Sequence, residues 1–257
     1  MISIVSPAKS LNFKDKSDIP SHSEPLFLTK SQELVSNLKM MSPDALSNLM
    51  SISKNLSELN HKRFQDWELP FNLSNSKQAA FAFTGDVFKG IDMASFNSED
   101  LDYSQNKLRI LSGLYGILKP LDLIQPYRLE MGTKLNNKKG SNLYHFWGDM
   151  ITDSLNQELE ESDSDILLNL ASNEYFKSIN SKNIKGTIIT PSFLDWKNGQ
   201  YKMISFFAKR ARGMMVNYQI KNQINKTEDL KGFDYSGYCF DSDRSSADNL
   251  VFLRRNE

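Results

Sequence analysis

Arg128 and Glu130 are the residues whose types and spacing most clearly suit chemistry in this chain. They lie two positions apart, so in an extended segment their side chains share one face while Leu129 points to the other. A guanidinium can bind a phosphate or carboxylate through two parallel hydrogen bonds, and a neighbouring carboxylate can act as an acid–base group. On this basis we predict Arg128 and Glu130 as catalytic residues. The alternative, which spacing alone favours, is a structural ion pair that fixes the loop.

Polar loops at 6–9, 112–116 and 171–175 follow three predicted strands. Ligands bind at the carboxyl ends of strands in open α/β sheets, so these loops would line one crevice if their strands are neighbours. A lysine would offer a cation, glycines would let backbone amides approach a ligand, and tyrosines would stack on a planar group. The predicted ligand-binding residues, which suit a nucleotide or nucleobase, are Lys9, Ser112, Gly113, Tyr115, Gly116, Tyr127, Asn169, Ser172 and Tyr175.

Several of these residues also have a purely structural interpretation. Gly113 and Gly116 can serve a turn that needs positive φ, and Tyr115 alone is more typical of half-buried packing than of a stacking platform. Ser172 is equally a helix cap, because Asn173 and Glu174 follow it. Neither nucleotide-binding fingerprint, the GxxxxGK[ST] loop or GxGxxG, is present.

A basic run at 209–212 lies within a helix that we predict to begin after Ser205. The helical period predicts a buried face composed of Phe207, Ala211, Met214 and Tyr218. Lys209 and Arg212, three positions apart, would then lie on the opposite, exposed side. Cations on one exposed face can bind phosphates, so the predicted nucleic-acid-binding residues are Lys209, Arg210, Arg212 and, if they lie nearby, Lys62 and Arg63. A solvated amphipathic face is the alternative that charge count favours.

Metal and cofactor chemistry finds little support in the sequence. The three histidines, His22, His61 and His145, form no HxxxH or HExxH pair, and Cys239 is the only cysteine. Asp241 and Asp243 lie in a Ser- and Asp-rich stretch that is more typical of a solvated turn. We therefore predict no metal site and no cofactor.

Hydrophobic patterning predicts the elements that must position these residues. Apolar runs predict strands at 1–6, 79–84, 108–111, 166–170, 187–190 and 201–206. Helical spacing and the Ser42-Pro43 cap predict helices at 29–41, 43–50, 53–64 and 143–159, besides the helix after Ser205. Strands that alternate with helices predict an α/β fold. We expect a single domain over 1–257 around a mixed, mostly parallel sheet, with a helical segment near the N-terminus at 29–68.

Composition limits the classes of function. The chain has 257 residues and equal numbers of basic and acidic side chains, 31 of each, so an anion-binding surface must be local. A neutral total lowers the expectation of nucleic-acid binding without excluding it. No run approaches the roughly 18 apolar residues of a membrane-spanning helix, and the first residues do not resemble a signal peptide. We expect a cytoplasmic protein with no membrane partner.

Six segments, spread over nearly the whole chain and in order, strongly resemble the YaaA family of bacterial peroxide-stress proteins. The longest reads LSGLYGILKPLDLIQPYRLEMG at 111–132. The other segments are 4–10 (IVSPAKS), 83–90 (FTGDVFKG), 146–149 (FWGD), 169–177 (NLASNEYFK) and 205–213 (SFFAKRARG).

The resemblance implies a cytosolic protein of the peroxide stress response that limits iron-linked oxidative damage. It also implies a single-domain α/β fold, a positively charged cleft, a helix-hairpin-helix element and affinity for double-stranded DNA. The best place for that element is 42–64, within the predicted helical subregion. The turn there, Ser51-Ile52-Ser53, lacks the glycines typical of such hairpins.

The alternative function is an enzyme that processes a nucleobase or nucleotide, such as a glycosidic-bond hydrolase. In that scheme Glu130 is the acid–base group, Arg128 and Lys9 hold phosphate, and Tyr115 or Tyr127 stacks on the base. DNA binding and base chemistry can coexist, because an enzyme that extrudes a base needs both a phosphate-binding surface and a polar pocket. Direct iron sequestration is a third possibility, for which the sequence offers no convincing ligand cluster.

Overall fold

Eleven strands form three sheets in the part of the chain that this computed structural model describes, residues 1–15, 19–162 and 164–255. The strands are β1 (Ile2–Val5), β2 (Lys77–Gln78), β3 (Leu108–Ser112), β4 (Gly116–Leu118), β5 (Leu123–Ile124), β6 (Ile166–Leu170), β7 (Thr187–Ile189), β8 (Ser192–Lys197), β9 (Gln200–Lys202), β10 (Tyr238–Asp241) and β11 (Val251–Arg254). The largest sheet has the order β4-β3-β1-β6-β7, in which only β4 runs antiparallel. This confirms the predicted mixed, mostly parallel sheet.

A second sheet, ordered β10-β11-β8-β9, goes beyond the sequence prediction. Its strands β8 and β11 are parallel, whereas β9 and β10 run antiparallel to their neighbours. Asn198 and Gly199 have φ values of 53° and 79° and form the two-residue turn between β8 and β9. Asn-Gly is the dipeptide that such tight hairpins favour, so the sequence does carry a signal for this hairpin. The third sheet pairs β2 with β5.

Eleven α-helices and three short 3₁₀ turns connect the strands of the described residues. The helices are α1 (Leu28–Lys39), α2 (Pro43–Met50), α3 (Lys54–Asp66), α4 (Ala79–Ala82), α5 (Asp86–Ile91), α6 (Ser98–Lys107), α7 (Leu143–Trp147), α8 (Met150–Glu161), α9 (Asn173–Phe176), α10 (Ser205–Lys221) and α11 (Thr227–Leu230). The 3₁₀ turns are Met93–Ser95, Ser181–Asn183 and Tyr235–Gly237. No helix among the described residues is long and apolar enough to cross a membrane.

Helices α1 to α3 form the predicted helical segment near the N-terminus. The Ser42 side chain accepts a hydrogen bond from the Ala45 backbone N–H (3.2 Å) with Pro43 in the first turn, so the predicted cap is confirmed. Ser51 ends α2 with a φ of 52°, and the connection of three residues, 51–53, leads directly into α3. The pair is a helical hairpin, and its part in DNA binding stays a prediction.

Two predicted strands need correction. Residues 79–82 form helix α4 instead of a strand, and only β2, just before them, is extended. Alanine has the highest helix propensity, and the Phe83 N–H donates to the Ala79 carbonyl (3.1 Å), which closes a helical turn. The predicted strand at 201–206 ends early, because β9 stops at Lys202 and α10 begins at Ser205. Of the segment predicted to be irregular, 10–28, residues 16–18 lie outside the described residues.

The predicted helix at 143–159 is two helices, α7 and α8. Gly148, with a φ of 51°, lies between them in a conformation that glycine adopts readily. The stripe at steps of four is nevertheless buried throughout, at Leu143, Trp147, Ile151, Leu155 and Leu159. The spacing therefore predicts the buried face correctly and does not reveal the break.

Helix α10 crosses α5 at two glycines. A Cβ on Gly213 would lie 1.9 Å from the Val87 carbonyl oxygen, and a Cβ on Gly90 would lie 2.2 Å from the Arg210 carbonyl oxygen. The two backbones therefore touch directly, with no room for a side chain between them. This crossing fixes the first half of α10 beside Asp86, the first residue of α5.

The buried Asp122 links Ser23 to the connection between β4 and β5 through hydrogen bonds. The Ser23 hydroxyl donates to Oδ1 of Asp122 (2.6 Å), and the Lys119 backbone N–H donates to Oδ2 (2.8 Å). Burial raises the pKa of Asp122 to about 6, although the two hydrogen bonds oppose the shift. A carboxyl group with a raised pKa takes up a proton in the folded state that the unfolded chain would release.

We expect Asp122→Asn to remove a pH-dependent loss of stability. The folded pKa, about 6, lies above the ordinary value of 3.8, so the stability that the protonated form contributes is full below about pH 4 and is lost as the pH rises through 6. Because one pKa unit is worth about 1.4 kcal/mol, the free energy of unfolding of the variant should rise relative to the native protein by at most about 3 kcal/mol over this range. Urea denaturation at a series of pH values measures the difference, and a difference independent of pH would contradict the expectation.

Candidate functional site

A cleft of about 290 Å³ opens at the carboxyl ends of β1 and β6, the two neighbouring strands at the centre of the largest sheet. Its walls are the loop after β1, the start of α5, the segment 127–130, the start of α9 and the first half of α10. Two of the three predicted polar loops, those after β1 and β6, thus lie at one crevice. Because β3, β1 and β6 are adjacent and parallel, their ends lie at the same edge of the sheet, as the sequence pattern requires.

Two serines join the loops that follow β1 and β6. The Ser6 hydroxyl accepts a hydrogen bond from the Ser172 backbone N–H (2.9 Å) and donates to the Ser172 Oγ (3.1 Å). Ser172 is the N-cap residue of α9, but its side chain makes no capping bond to that helix. Its hydrogen-bonding capacity is therefore used in tying the two loops together at the cleft.

Glu130 lies between two cations in the cleft. Its Oε2 is 2.9 Å from Lys9 Nζ, and its Oε1 accepts a hydrogen bond from an η nitrogen of Arg128 (2.8 Å). The Glu130 side chain is 25% exposed, Arg128 is 19% exposed and Lys9 is 64% exposed. Arg128 and Glu130 thus form the ion pair that their spacing allows, and Lys9, from a distant part of the sequence, makes it a triad. A bound ligand can reach all three groups.

Two buried tyrosines, Tyr127 and Tyr175, line the same cleft. The Tyr127 hydroxyl is 2.7 Å from Ser112 Oγ. Burial raises the pKa of both phenols above the ordinary value, and at Tyr175 the neighbouring Tyr127, Glu174 and Glu130 raise it further. Both phenols therefore stay neutral at physiological pH, and their hydroxyls are hydrogen-bonded within the protein, that of Tyr127 to Ser112 and that of Tyr175 to the Met131 backbone.

Helix α10 contributes two cations to the cleft, Lys209 and Arg212. The predicted arrangement of this helix needs correction, because Arg212 is half-buried at the cleft instead of lying on an exposed face. Burial lowers its pKa. Arg210 is exposed and is not among the residues that line the cleft. The predicted DNA-binding run and the predicted ligand pocket therefore meet at one place.

The predicted loop at 112–116 does not reach the cleft wall. Tyr115 is fully buried, and its hydroxyl accepts hydrogen bonds from Trp67 Nε1 (3.2 Å) and the Gln125 backbone N–H (3.1 Å). A Cβ on Gly113 would lie 2.3 Å from the Leu129 carbonyl oxygen, so the segment 127–130 covers this turn.

The other two predicted ligand-binding residues of that loop also have structural roles. Gly116 has a φ of 72° and faces the Trp147 ring, to which a Cβ would come within 2.7 Å. Ser112 is fully buried, and besides its contact with Tyr127 its Oγ accepts hydrogen bonds from the N–H groups of Leu114 (3.2 Å) and Tyr115 (3.0 Å). Stacking or hydrogen bonding to a ligand is not open to this turn in the structure.

Three other predicted residues do not line the cleft. Asn169 is buried in β6, where its side chain accepts from the Ala171 N–H (3.2 Å) and donates to Thr190 Oγ1 (3.3 Å). Lys62 and Arg63 lie in α3, where Lys62 is exposed and Arg63 donates to Asn60 Oδ1 (3.3 Å). Burial lowers the pKa of Arg63.

Two carboxylates of the cleft, Asp86 and Glu174, are not among the predicted site residues. Asp86 follows Gly85, where a Cβ would lie 2.8 Å from the Ala8 Cβ, so the close approach of α5 to the β1 loop brings Asp86 in. The Glu174 Oε1 accepts a hydrogen bond from the Gly132 N–H (3.0 Å). Both residues lie within the segments of the family resemblance, which is the signal that could have found them. Within 1–15, 19–162 and 164–255, no three His, Cys, Asp or Glu side chains gather as metal ligands would.

Comparison with known proteins agrees with the resemblance. The family model described as "Peroxide stress protein YaaA" matches residues 1–244. A UPF0246 protein of Shewanella baltica strain OS185 is 52% identical over 257 residues, which cover 100% of both chains. A UPF0246 protein of Colwellia psychrerythraea is 51% identical over 255 residues, and one of Hahella chejuensis is 50% identical over 254 residues, each with 99% of both chains covered.

Proposed function

Because the chain belongs to the YaaA family of peroxide stress proteins, we propose that it binds double-stranded DNA in the cytoplasm during peroxide stress and thereby limits iron-linked damage to that DNA. The observation that supports the proposal is a local surplus of positive charge on α10. Lys209 and Arg210 are exposed on consecutive positions, and Arg212 lies beside them at the cleft. None of the three forms an ion pair with an acidic side chain of the described residues. Free cations of this kind bind phosphates.

The double variant Lys209→Ala/Arg210→Ala should weaken binding to a labelled DNA duplex and flatten its salt dependence. Each lost phosphate contact lowers the slope of log K against log salt by about 0.9, so the loss of two should lower it by about two. Fluorescence anisotropy across a salt series measures both quantities. The matched control is Lys182→Ala/Lys185→Ala, which removes two exposed lysines that do not line the cleft. Native binding without salt dependence, or an equal effect of both double variants, would refute this assignment of the DNA-binding surface.

A second candidate function, the processing of a nucleobase or nucleotide, is favoured by the position of Glu130. Its carboxylate lies in the cleft between Lys9 and Arg128, with Tyr127 and Tyr175 in the same walls. In a glycosidic-bond hydrolase, Glu130 would be the acid–base group, while Arg128 and Lys9 would hold phosphate. Of the two tyrosines predicted to stack on the base, Tyr127 lines the cleft, whereas Tyr115 is fully buried. Such an enzyme can also bind duplex DNA when it extrudes its target base.

A further inference from the structure

Arg212 reaches the cleft with its hydrogen-bond donors unused. Its side chain is half-buried, and within the described residues it makes no hydrogen bond or ion pair. No acidic neighbour raises its pKa, which burial lowers. Partial removal of a guanidinium from water is unfavourable unless an acceptor replaces the water. A planar guanidinium with free donors is the group that proteins use to bind oxyanions through two parallel hydrogen bonds.

Arg128 also has a hydrogen-bond donor without a partner among the described residues. One of its η nitrogens donates to Glu130, whereas its Nε is buried and has no partner among the described residues. Glu130 must serve Lys9 as well, so a single carboxylate is shared by two cations. An anion that accepted a hydrogen bond from Arg128 Nε would satisfy this unpartnered donor. It would also balance the second of the two positive charges that share Glu130.

The charges that line the cleft leave a surplus of cations. The cations are Lys9, Arg128, Lys209 and Arg212, and the carboxylates are Asp86, Glu130 and Glu174. One Glu174 oxygen already accepts the Gly132 N–H. Glu130, in the segment 127–130, pairs with both Lys9 and Arg128. Lys209 and Arg212, both on α10, are the cleft cations without a carboxylate partner among the described residues.

The size of the cleft limits what can reach Arg212 and Arg128. Its volume of about 290 Å³ is at the lower end of pockets that hold small ligands. A DNA duplex, whose major groove alone is about 12 Å wide, cannot enter such a space. The part of a ligand that lies inside the cleft is therefore about one nucleotide in size or smaller.

We propose that the cleft binds a phosphomonoester, the terminal phosphate of a free nucleotide or of a DNA strand end, between Arg212 and Arg128. A phosphomonoester offers three terminal oxygens and a charge of about −1.5 to −2 at neutral pH, which suits two guanidinium groups with free donors. An internal phosphodiester offers two free oxygens and a chain that must leave on both sides. The inference deepens the proposed function, on which it rests in one respect: it names the part of a DNA molecule that enters the cleft.

Calorimetric titration of the full chain with deoxyadenosine 5′-monophosphate, beside deoxyadenosine, tests the proposal. The monophosphate should bind at least tenfold more tightly than the nucleoside. Arg212→Gln and Arg128→Gln should each weaken binding of the monophosphate at least tenfold. Arg244→Gln is the matched control, because Arg244 is an exposed arginine outside the cleft whose loss should leave this affinity unchanged. If Arg212→Gln does not fold, Arg212→Lys keeps the charge without the planar fork and should bind about fivefold more weakly.

Two further DNA probes separate this inference from duplex binding itself. A linear duplex with 5′-phosphates should bind more tightly than the same duplex with 5′-hydroxyls, and Arg212→Gln should abolish the difference. A covalently closed circle has no strand ends and reports on duplex binding alone. Binding of the closed circle without any preference for the monophosphate or the phosphorylated ends would overturn the phosphomonoester site and leave the DNA proposal intact. Binding of the monophosphate without binding of the circle would support the phosphomonoester site and contradict the proposal that the protein binds duplex DNA. Equal affinity for monophosphate and nucleoside, or native affinity in both folded cleft variants, would also overturn it.

Discussion

Replacement of Gly213 by alanine is expected to lower the free energy of unfolding by about 2 kcal/mol. The new Cβ would lie 1.9 Å from the Val87 carbonyl oxygen and 2.9 Å from the Gly90 Cα, and both are backbone atoms that no rotamer change can move. Overpacking of this kind typically costs about 1 to 3 kcal/mol, and here α5 and α10 must separate. The gain in helix propensity, about 1 kcal/mol, offsets only part of that cost. Thermal or urea unfolding of the variant measures the loss.

A control for this prediction is Gly199→Ala. Gly199 has a φ of 79°, and a Cβ added there would have nothing within 4 Å, so the variant meets left-handed backbone strain without a clash. Its cost should be about 1 kcal/mol. The same separation of α5 and α10 would draw Lys209 and Arg212 away from Glu130, so Gly213→Ala should also weaken ligand binding at the cleft. A Gly213→Ala variant as stable as the native protein would show that the helix crossing is looser than the structure describes.

Glu130→Gln is expected to abolish base release from a nucleotide or from duplex DNA, with a loss of at least about 100-fold, if the cleft performs glycosidic-bond hydrolysis. An acid–base group typically contributes about 10² to 10⁴ in rate, and glutamine keeps the shape of glutamate but cannot exchange a proton. Glutamine can still accept a hydrogen bond from Arg128, so the position of the arginine should be preserved. Chromatographic detection of the free base after incubation with deoxynucleoside monophosphates and with duplex oligonucleotides measures the rate.

Survival of hydrogen peroxide by cells that produce only the variant provides the cellular measurement. Glu33→Gln is the control, because Glu33 forms a surface ion pair with Lys30 (3.3 Å) outside the cleft. If the cleft performs this hydrolysis, protection should fail with Glu130→Gln and persist with Glu33→Gln, at equal amounts of folded protein. If folded Glu130→Gln protects as well as the native protein, the catalytic function is wrong, while DNA binding through Lys209 and Arg210 is untouched by that result.

The largest sheet is predictable because the sequence signals of its parallel strands are local. Each parallel strand is a short apolar run that ends in a polar loop, and this pattern identifies β1, β3 and β6 and the edge at which their loops meet. What local pattern cannot show is which loop a distant segment covers. The turn after β3 is sealed by Leu129, so the glycines and Tyr115 that suggest a ligand site serve packing instead.

Helix α10 shows a second limit of prediction. A helical period assumes one buried face and one open face, and on that assumption Arg212 belongs to solvent. Buried residues in fact occur all round the second half of α10, which packs against both larger sheets and α5. Arg212 therefore faces a cleft whose other walls include α5 and the loop after β1, and the sequence of α10 alone does not show those walls. The second sheet goes beyond the sequence prediction because its longest strand, β8, pairs with β11, far along the chain, and only the hairpin of β8 with β9 leaves a local signal, the Asn198-Gly199 turn.

The cleft assembled from Ser6, Asp86, Glu130, Glu174 and Arg212 has a thermodynamic consequence. These residues come from five separate stretches of sequence, so the unfolded chain holds no part of the site that could retain a ligand. Any ligand of the cleft then binds the native state alone and must raise the free energy of unfolding, by about 2.7 kcal/mol at a concentration 100 times its Kd. A ligand of the cleft should therefore increase the melting temperature of the whole protein. Melting temperatures measured with different compounds would then identify what the cleft binds.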